Sequence, residues 1–534
     1  MTNADMIISN GRIYTVDPAQ PWAEGLACLN GRILAVGSND DIHALAGPDT
    51  RIYDASGHLV LPGLIDAHVH FLQYAIRRKQ VTLFGVSDFN QVRQRVADAV
   101  QQVQPGQWII GWGWDENLWD TQPDARHLDE IAPHNPVVLA RMDMHTWWVN
   151  SAVLQYAQID RETIDPPESV IERDDIGNPT GILREWNAIA LVEPLIPQPD
   201  NVAQLAWMRE ALAEAHQLGL TGFHDQRVEK EGQRSLRLFQ GLRREGSLKH
   251  RVHTNIAADF VVEAATLGVQ PGFGDDLLWL GHMKAFADGT MGSLTALMLE
   301  PFSNAPQNVG LVVTDKDQLW ELAHQARGAG FPLSVHAIGD RAVRDILDVL
   351  GELETGRLAS DLAMPHRIEH VQLIHPADLG RLAQHNIVAS MQPVHIQTDW
   401  ATADRVWGER ARYAYAFRSL LNHGTRLAFG SDAPVAPLNP MLGISTAVTR
   451  KDKAGKPYDG WYPEERLTVA EAIYAYTMEP AYLSGKSHRF GSLTPGKWAD
   501  FILLSQNLFE IPQDAIVETT IEQTFFAGEL LFSR

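Results

Sequence analysis

The sequence predicts an α/β protein, a (β/α)8 TIM barrel joined to a small β-domain made from both chain ends. Three observations point there. Eight short runs rich in apolar or β-branched residues alternate with helical stretches, the pattern of a parallel sheet joined by crossover helices. The two ends read as strands, and neither is long enough to close a core alone. A chain of 534 residues, 45% hydrophobic and 21% charged, also has the material for a barrel of about 250 residues with additions.

At the N-terminus, Asn10-Gly11-Arg12-Ile13 and Asn30-Gly31-Arg32-Ile33 each set Asn-Gly between apolar runs, which predicts two tight hairpins. The C-terminal stretch from Gly491-Ser492-Leu493 through Phe501-Ile502-Leu503-Leu504 to Phe525-Phe526-Ala527-Gly528-Glu529 is again strand-like. Residues 1–61 and 486–534 are therefore expected to pair into one domain around a barrel at 62–485. The barrel strands are expected at 63–70, 221–225, 251–256, 278–286, 333–338, 367–373, 387–392 and 427–432, with helices such as 202–218 and 318–329 between them. About 130 residues separate His70 from the helix at 202, too many for a crossover, so an insertion is expected at about 73–200. Trp108, Trp112, Trp114, Trp119, Trp147 and Trp148, six of the fifteen tryptophans, fall in it. They either build the insertion's own core or line an apolar substrate pocket at the barrel rim.

Composition narrows the partners. Lys and Arg number 44 against 66 Asp and Glu, and a net charge of −22 repels phosphate backbones and anionic lipid, so neither nucleic acid nor a membrane is expected as partner. No apolar stretch approaches the ~20 residues of a spanning helix. The sole cysteine, Cys28, cannot form an intrachain disulfide, and Met-Thr-Asn-Ala-Asp at the start lacks the pattern of a signal peptide. A cytoplasmic protein is expected, and on general grounds a homo-oligomeric one. One cysteine also excludes thiolate-held zinc, so any metal falls to the 21 histidines, to carboxylates or to a modified side chain.

The chemistry gathers at the strand ends. Asp66-Ala67-His68-Val69-His70 closes the first strand, and a period of two sets both histidines on one face, able to reach one cation. His336 in Ser-Val-His-Ala-Ile-Gly-Asp, His370 in Arg-Ile-Glu-His and Asp432 in Phe-Gly-Ser-Asp-Ala-Pro close later strands. In a closed barrel all C-terminal strand ends surround one mouth, so the five converge as a candidate metal site. Lys284 closes the fourth strand, where a dry barrel makes a charged lysine costly. Its neutral amine can add CO2 to form a carbamate whose two oxygens bridge two cations; the alternative is an unmodified lysine paired with Asp288 or a substrate carboxylate. His282, one layer deeper on the same face, is expected to pack.

Leu61-Pro62-Gly63-Leu64-Ile65-Asp66-Ala67-His68-Val69-His70, the strand-ending His336, His370 and Asp432, and Gly491-Ser492-Leu493-Thr494-Pro495-Gly496-Lys497-Trp498-Ala499-Asp500 resemble the amidohydrolase superfamily over about residues 6–530. More narrowly, His145-Thr146-Trp147-Trp148-Val149-Asn150-Ser151, Lys284 with Asp288-Gly289, His336-Ala337-Ile338-Gly339-Asp340, Met391-Gln392-Pro393 and Gly430-Ser431-Asp432-Ala433-Pro434 are similar to amidohydrolase family 3, the branch that includes N-substituted formamide deformylases. The resemblance implies a distorted metal-dependent barrel, a β-sandwich built from both termini, and hydrolysis of a carbon–nitrogen bond other than a peptide bond, in a small-molecule amide-type substrate.

On that resemblance two Zn2+ ions are expected: His68 and His70 hold one with Asp432, His336 and His370 hold the other, and a carboxylated Lys284 bridges them. A metal-activated hydroxide then attacks the substrate carbonyl, with Asp432 as general base and acid. Trp147, Asn150, Glu185, Asp288, Asp340 and Gln392 are assigned to substrate binding or to support of the site. Two other readings remain at this point. One is a mononuclear aminohydrolase, although such deaminases usually carry a Glu three residues after the fifth-strand histidine, where this chain has Gly339. The other is a catalytically silent binding protein, which typically loses ligands that this chain keeps.

Overall fold

The computed structural model describes residues 3–142, 145–167, 169–227, 231–354 and 362–534. They divide into two compact units, residues 1–74 with 208–534, and residues 75–207.

The first unit holds the barrel. Its eight parallel strands, in sheet order, are Leu64–Val69, Leu220–Asp225, Arg251–Ala257, Leu278–Phe286, Leu333–Ala337, Arg367–His370, Val388–Met391 and Leu427–Phe429. All but Phe286 and Ile256 are buried throughout, as strands covered on both faces must be. Helices cover the outside. Lys316–Gly328 starts on a capping box in which Asp315 takes the Gln318 amide N–H and Gln318 returns the bond. In Asp340–Glu354, Val343, Ile346, Leu347 and Leu350 form one buried stripe at helical spacing. The first and eighth strands meet through a parallel bridge between Val69 and Ala433, so the barrel is nearly closed.

The barrel interior is polar as well as apolar. His224, His253, His282, Asn255, Gln226, Ser334, Arg367, Glu369 and Ser390 are all buried there. His282 packs, as expected, donating from Nε2 to Pro365 O (2.9 Å) and facing His253 across 3.1 Å.

Both termini share one six-stranded sheet, in which Phe501–Leu504 runs antiparallel to Leu59–Pro62. A four-stranded N-terminal sheet packs on it, and Met6, Ile8, Leu26, Cys28 and Val60 share a core with Leu493, Phe501 and Phe525. One hairpin forms where expected: Asn30 (φ 51°) and Gly31 (φ 75°) link Gly25–Leu29 to Arg32–Gly37. The other does not. Ala4–Ser9 pairs with Gly25–Leu29 and Ala46–Asp54, whereas Arg12–Tyr14 lies in the other sheet. Asn10 (φ 56°) thus carries the chain from one sheet to the other, because Asn-Gly dictates a left-handed turn without dictating which strands it joins.

The second unit has a six-stranded sheet, and its tryptophans build its own core. Trp114, Trp119 and Trp148 pack together in one apolar layer, and Trp147 lies in another with Trp108 and Trp112 at its edge. Of the two expectations, the structural one accounts for these side chains.

The barrel and the terminal β-domain are tied by Arg251, 2% exposed, whose guanidinium grips Asp500 through Nε (2.8 Å) and Nη2 (3.0 Å) and lies over the Phe526 ring. Removing one partner leaves the other charge buried and unpaired. Arg251→Ala is expected to cost about 3–5 kcal/mol, read as a clear fall in melting temperature, while a charge-free pair such as Arg251→Met with Asp500→Leu should recover much of it.

Candidate active site

The site is built where the first and eighth strands close. His70 N donates to Ala433 O (2.8 Å) and Asp432 N to His68 O (2.7 Å), which brings His68, His70 and Asp432 together. Asp66, which the sequence reading did not single out, holds this seam from below, accepting from His68 N (2.9 Å) and Ser431 N (3.0 Å). Asp432 (φ 61°) and His370 (φ 71°) both sit in the left-handed region, at about 1–3 kcal/mol each for a residue other than glycine. Each follows or ends a strand, and the turn aims its side chain into the barrel mouth.

Asp432 Oδ1 stands 3.3 Å from both His68 Nε2 and His70 Nε2. Ligand atoms of His68, His370 and Asp432 lie within 4.8 Å of one another, an arrangement able to hold a metal ion. The tautomers follow from the partners, since carboxylate and carbonyl oxygens can only accept. His68 donates from Nδ1 to Glu369 Oε2 (2.6 Å), so its Nε2 lone pair faces the site. His370 donates from Nδ1 to Gln392 Oε1 (2.7 Å), and Gln392 is itself fixed by donating to Ser390 O. His336 instead donates from Nε2 to Gly289 O (2.9 Å), which leaves Nδ1 as its ligand atom.

Charge states suit the same task. Burial, reinforced by Lys284, pushes His336 down to about 4, and burial with His336 beside it holds His370 well below the usual imidazole range. Both are neutral imidazoles at pH 7, the form in which a histidine can bind a metal. For Asp432 burial acts upward, but His68 and His70, when protonated, outweigh it through their charge and hold the carboxyl well below its usual range. Lys284 is 2% exposed, and burial brings its amine down to about 8. Its Nζ, with His68 Nε2 and Asp432 Oδ1, has no hydrogen-bond partner among the described residues. A divalent cation fits this set, because it satisfies imidazole lone pairs and a carboxylate oxygen together.

Asp288 lies 3.6 Å from His336 Nε2, and the other expected residues make the following bonds. Asp288 does not pair with Lys284; it accepts from the backbone N–H groups of Leu297, Ile338 and Gly339. Asp340 accepts from Leu299 N. Asn150 caps the helix Ser151–Tyr156 and bonds Val137 N and Asn135 O. These three side chains tie loops, and Gln392 orients His370. Trp147 is buried within its unit, where the exposed Glu185 (φ 68°) accepts from the half-buried His145 at 2.9 Å.

Sequence reasoning missed Glu369 and His395. Glu369 is fully buried, gripped by Arg367 through two nitrogens and by Ser334 Oγ (2.6 Å). Burial alone would raise its carboxyl, but Arg367 and then His68 hold it far below the usual range. Its place in the quoted Arg-Ile-Glu-His, one residue before a strand-ending histidine, was the available signal. Glu369→Gln should weaken metal binding about 10–100-fold in a chelator competition, because a neutral amide no longer fixes the His68 tautomer. Unchanged affinity would refute that role.

Comparison with known proteins agrees with this geometry. Residues 51–532 match the model of the Amidohydrolase family. The chain is 36% identical to Protein LONG AFTER FAR-RED 3 of Arabidopsis thaliana over 99% of its length and 92% of that protein. It is 28% identical to the N-substituted formamide deformylase of Arthrobacter pascens over 99% and 98%. A crystal structure of an uncharacterized metal-dependent hydrolase from Pyrococcus horikoshii OT3 superposes with a TM-score of 0.78 at 25% identity, covering 95% of this chain and 99% of that one. The chain belongs to the amidohydrolase superfamily, in its family 3, and is a metal-dependent hydrolase.

Proposed function

We propose that the protein hydrolyses a carbon–nitrogen bond other than a peptide bond, in an amide, an N-substituted formamide or a cyclic amide. The observation that carries this is that His68 Nε2, Asp432 Oδ1 and Lys284 Nζ, from three barrel strands, are buried and have no hydrogen-bond partner among the described residues. Such atoms cost about 1–3 kcal/mol each when left unsatisfied, so the fold maintains them for a ligand. Zinc suits the imidazole-rich set, and two ions are proposed. His68 and His70 would hold one with Asp432, His336 and His370 the other, and Lys284 would bridge them as a carbamate, its neutral amine adding CO2 with loss of one proton.

Bound there, the metal supplies Lewis acidity toward the carbonyl and lowers the pKa of water from about 15.7 towards about 7. Asp432, whose carboxyl is held well below its usual range, takes the proton of the attacking water and returns it to the departing nitrogen. The likeness to a formamide deformylase supports this substrate class. Gly339, whose N–H is committed to Asp288, occupies the position of the deaminase glutamate, so deamination gains no support.

Elemental mass spectrometry on protein purified without chelator should find close to two zinc equivalents, and N-benzylformamide should be turned over. One equivalent with activity on aminoheterocycles would favour the deaminase, and no metal even after zinc addition would sink the reading. Asp432→Asn should lower kcat about 10²–10⁴-fold with an unchanged melting temperature. Lys284→Ala should lose zinc and activity and regain part of both with propionate; a variant that still binds two zinc ions would overturn the bridge.

A further inference from the structure

We infer that His395 is a further catalytic residue, donating from Nε2 to the substrate carbonyl oxygen as that atom becomes an oxyanion. The inference rests on the reading of the site as a carbon–nitrogen hydrolase and adds a hydrogen-bond donor to it.

His395 ends the short turn Pro393–His395 after the seventh strand and begins the helix Ile396–Trp407. It is buried, 7% exposed, and its Nδ1 faces the Gln372 amide at 3.5 Å. Its Nε2 has no hydrogen-bond partner among the described residues. That nitrogen points to Asp432 Oδ2 across 3.8 Å, beyond hydrogen-bond length. Asp432 is therefore two-faced, with Oδ1 turned to His68 and His70 and Oδ2 turned to His395. The His395 ring lies nearly parallel to that of His370, 16° apart with centroids 6.3 Å distant, and it is outside the group formed by His68, His370 and Asp432. It stands beside the ligand cluster without being part of it.

A buried nitrogen kept unpaired against the general rule is maintained for something that arrives. In amide hydrolysis that something is defined by the bond changes. The water oxygen bonds to the carbonyl carbon, the C=O π pair moves onto the carbonyl oxygen, and Asp432 takes the water proton. Collapse re-forms C=O, breaks the C–N bond and sends the Asp432 proton to the nitrogen. His395 keeps its own proton throughout. Its part is to hold an N–H preset toward the oxygen that gains charge, where a dry site makes such a donor most effective.

The test uses the zinc-loaded full chain with His395→Ala and His395→Gln, N-benzylformamide as substrate and phenylphosphonate as a tetrahedral oxyanion probe. His395→Ala should lower kcat about 10²–10³-fold with KM within about threefold and zinc content unchanged. Phenylphosphonate should bind this variant at least about tenfold more weakly by calorimetry, and His395→Gln, which keeps an N–H, should restore most of both losses. Native-like kcat and phosphonate affinity in His395→Ala would overturn the inference, as would zinc loss in step with activity. If the native enzyme leaves the formamide intact, the substrate class fails; phosphonate affinity then decides the role of His395, and equal or absent binding to native and variant counts against it.

Discussion

Everything at the mouth depends on the closure of the barrel between its first and eighth strands. A sheet of eight strands becomes a site only when its edges meet, and here they meet through His70 N to Ala433 O and Asp432 N to His68 O. The same residues that close the sheet present the ligand atoms, so the distance between the His68 imidazole and the Asp432 carboxylate is fixed by backbone hydrogen bonds rather than by flexible side chains. Asp66 adds a second constraint, since one carboxylate accepts from backbone N–H groups on both sides of the seam. Gly430 leaves room for this: a Cβ there would stand 2.4 Å from His68 N and 2.6 Å from Asp66 Oδ1.

Beneath the seam the barrel spends stability on charge. Arg367 and Glu369, both fully buried, form an ion pair whose desolvation a pair of apolar side chains would avoid. The arrangement is complete in hydrogen bonds: the guanidinium also donates to Ala67 O and Ser390 Oγ and to the His224 Nδ1 lone pair. What the pair supplies is a carboxylate that stays ionised in a dry interior and so always accepts from His68 Nδ1. The neutral histidines below, held uncharged by burial, add polarity there without adding positive charge under a cation site.

The fold was legible in the sequence because buried parallel strands read as apolar runs and the strand ends carry ligand-type residues at a period of two or at isolated positions. Each of the eight expected strands matches an observed one within a few residues. Legibility failed where a signal is local but its meaning is not. Asn10-Gly11 shows the turn and hides that it joins two sheets. Asn150, Asp288 and Asp340, read from short motifs as substrate-binding or supporting residues, have oxygens that accept backbone N–H groups, a role that motif spacing does not reveal. Glu369 and His68 are 301 positions apart, and no spacing rule connects them. His395 lies past the end of its strand, where the alternation of faces no longer says which way a side chain turns.

The strained turns show how the two kinds of residue are kept distinct. Positive φ at His370 and Asp432 is tolerable only if surrounding contacts over-determine it, and both residues have such contacts: the His370 ring is pinned by Gln392, and the Asp432 backbone by His68 O. His395, by contrast, has φ −62° in ordinary helical backbone, and its ring is fixed only loosely by Gln372. The proposed cation ligands His370 and Asp432 are locked by strained backbone and by hydrogen bonds. A group that meets a changing substrate oxygen needs its donor left open and its backbone relaxed. Asp432 thus has a rigid side at Oδ1, against His68 and His70, and a more open side at Oδ2, against His395.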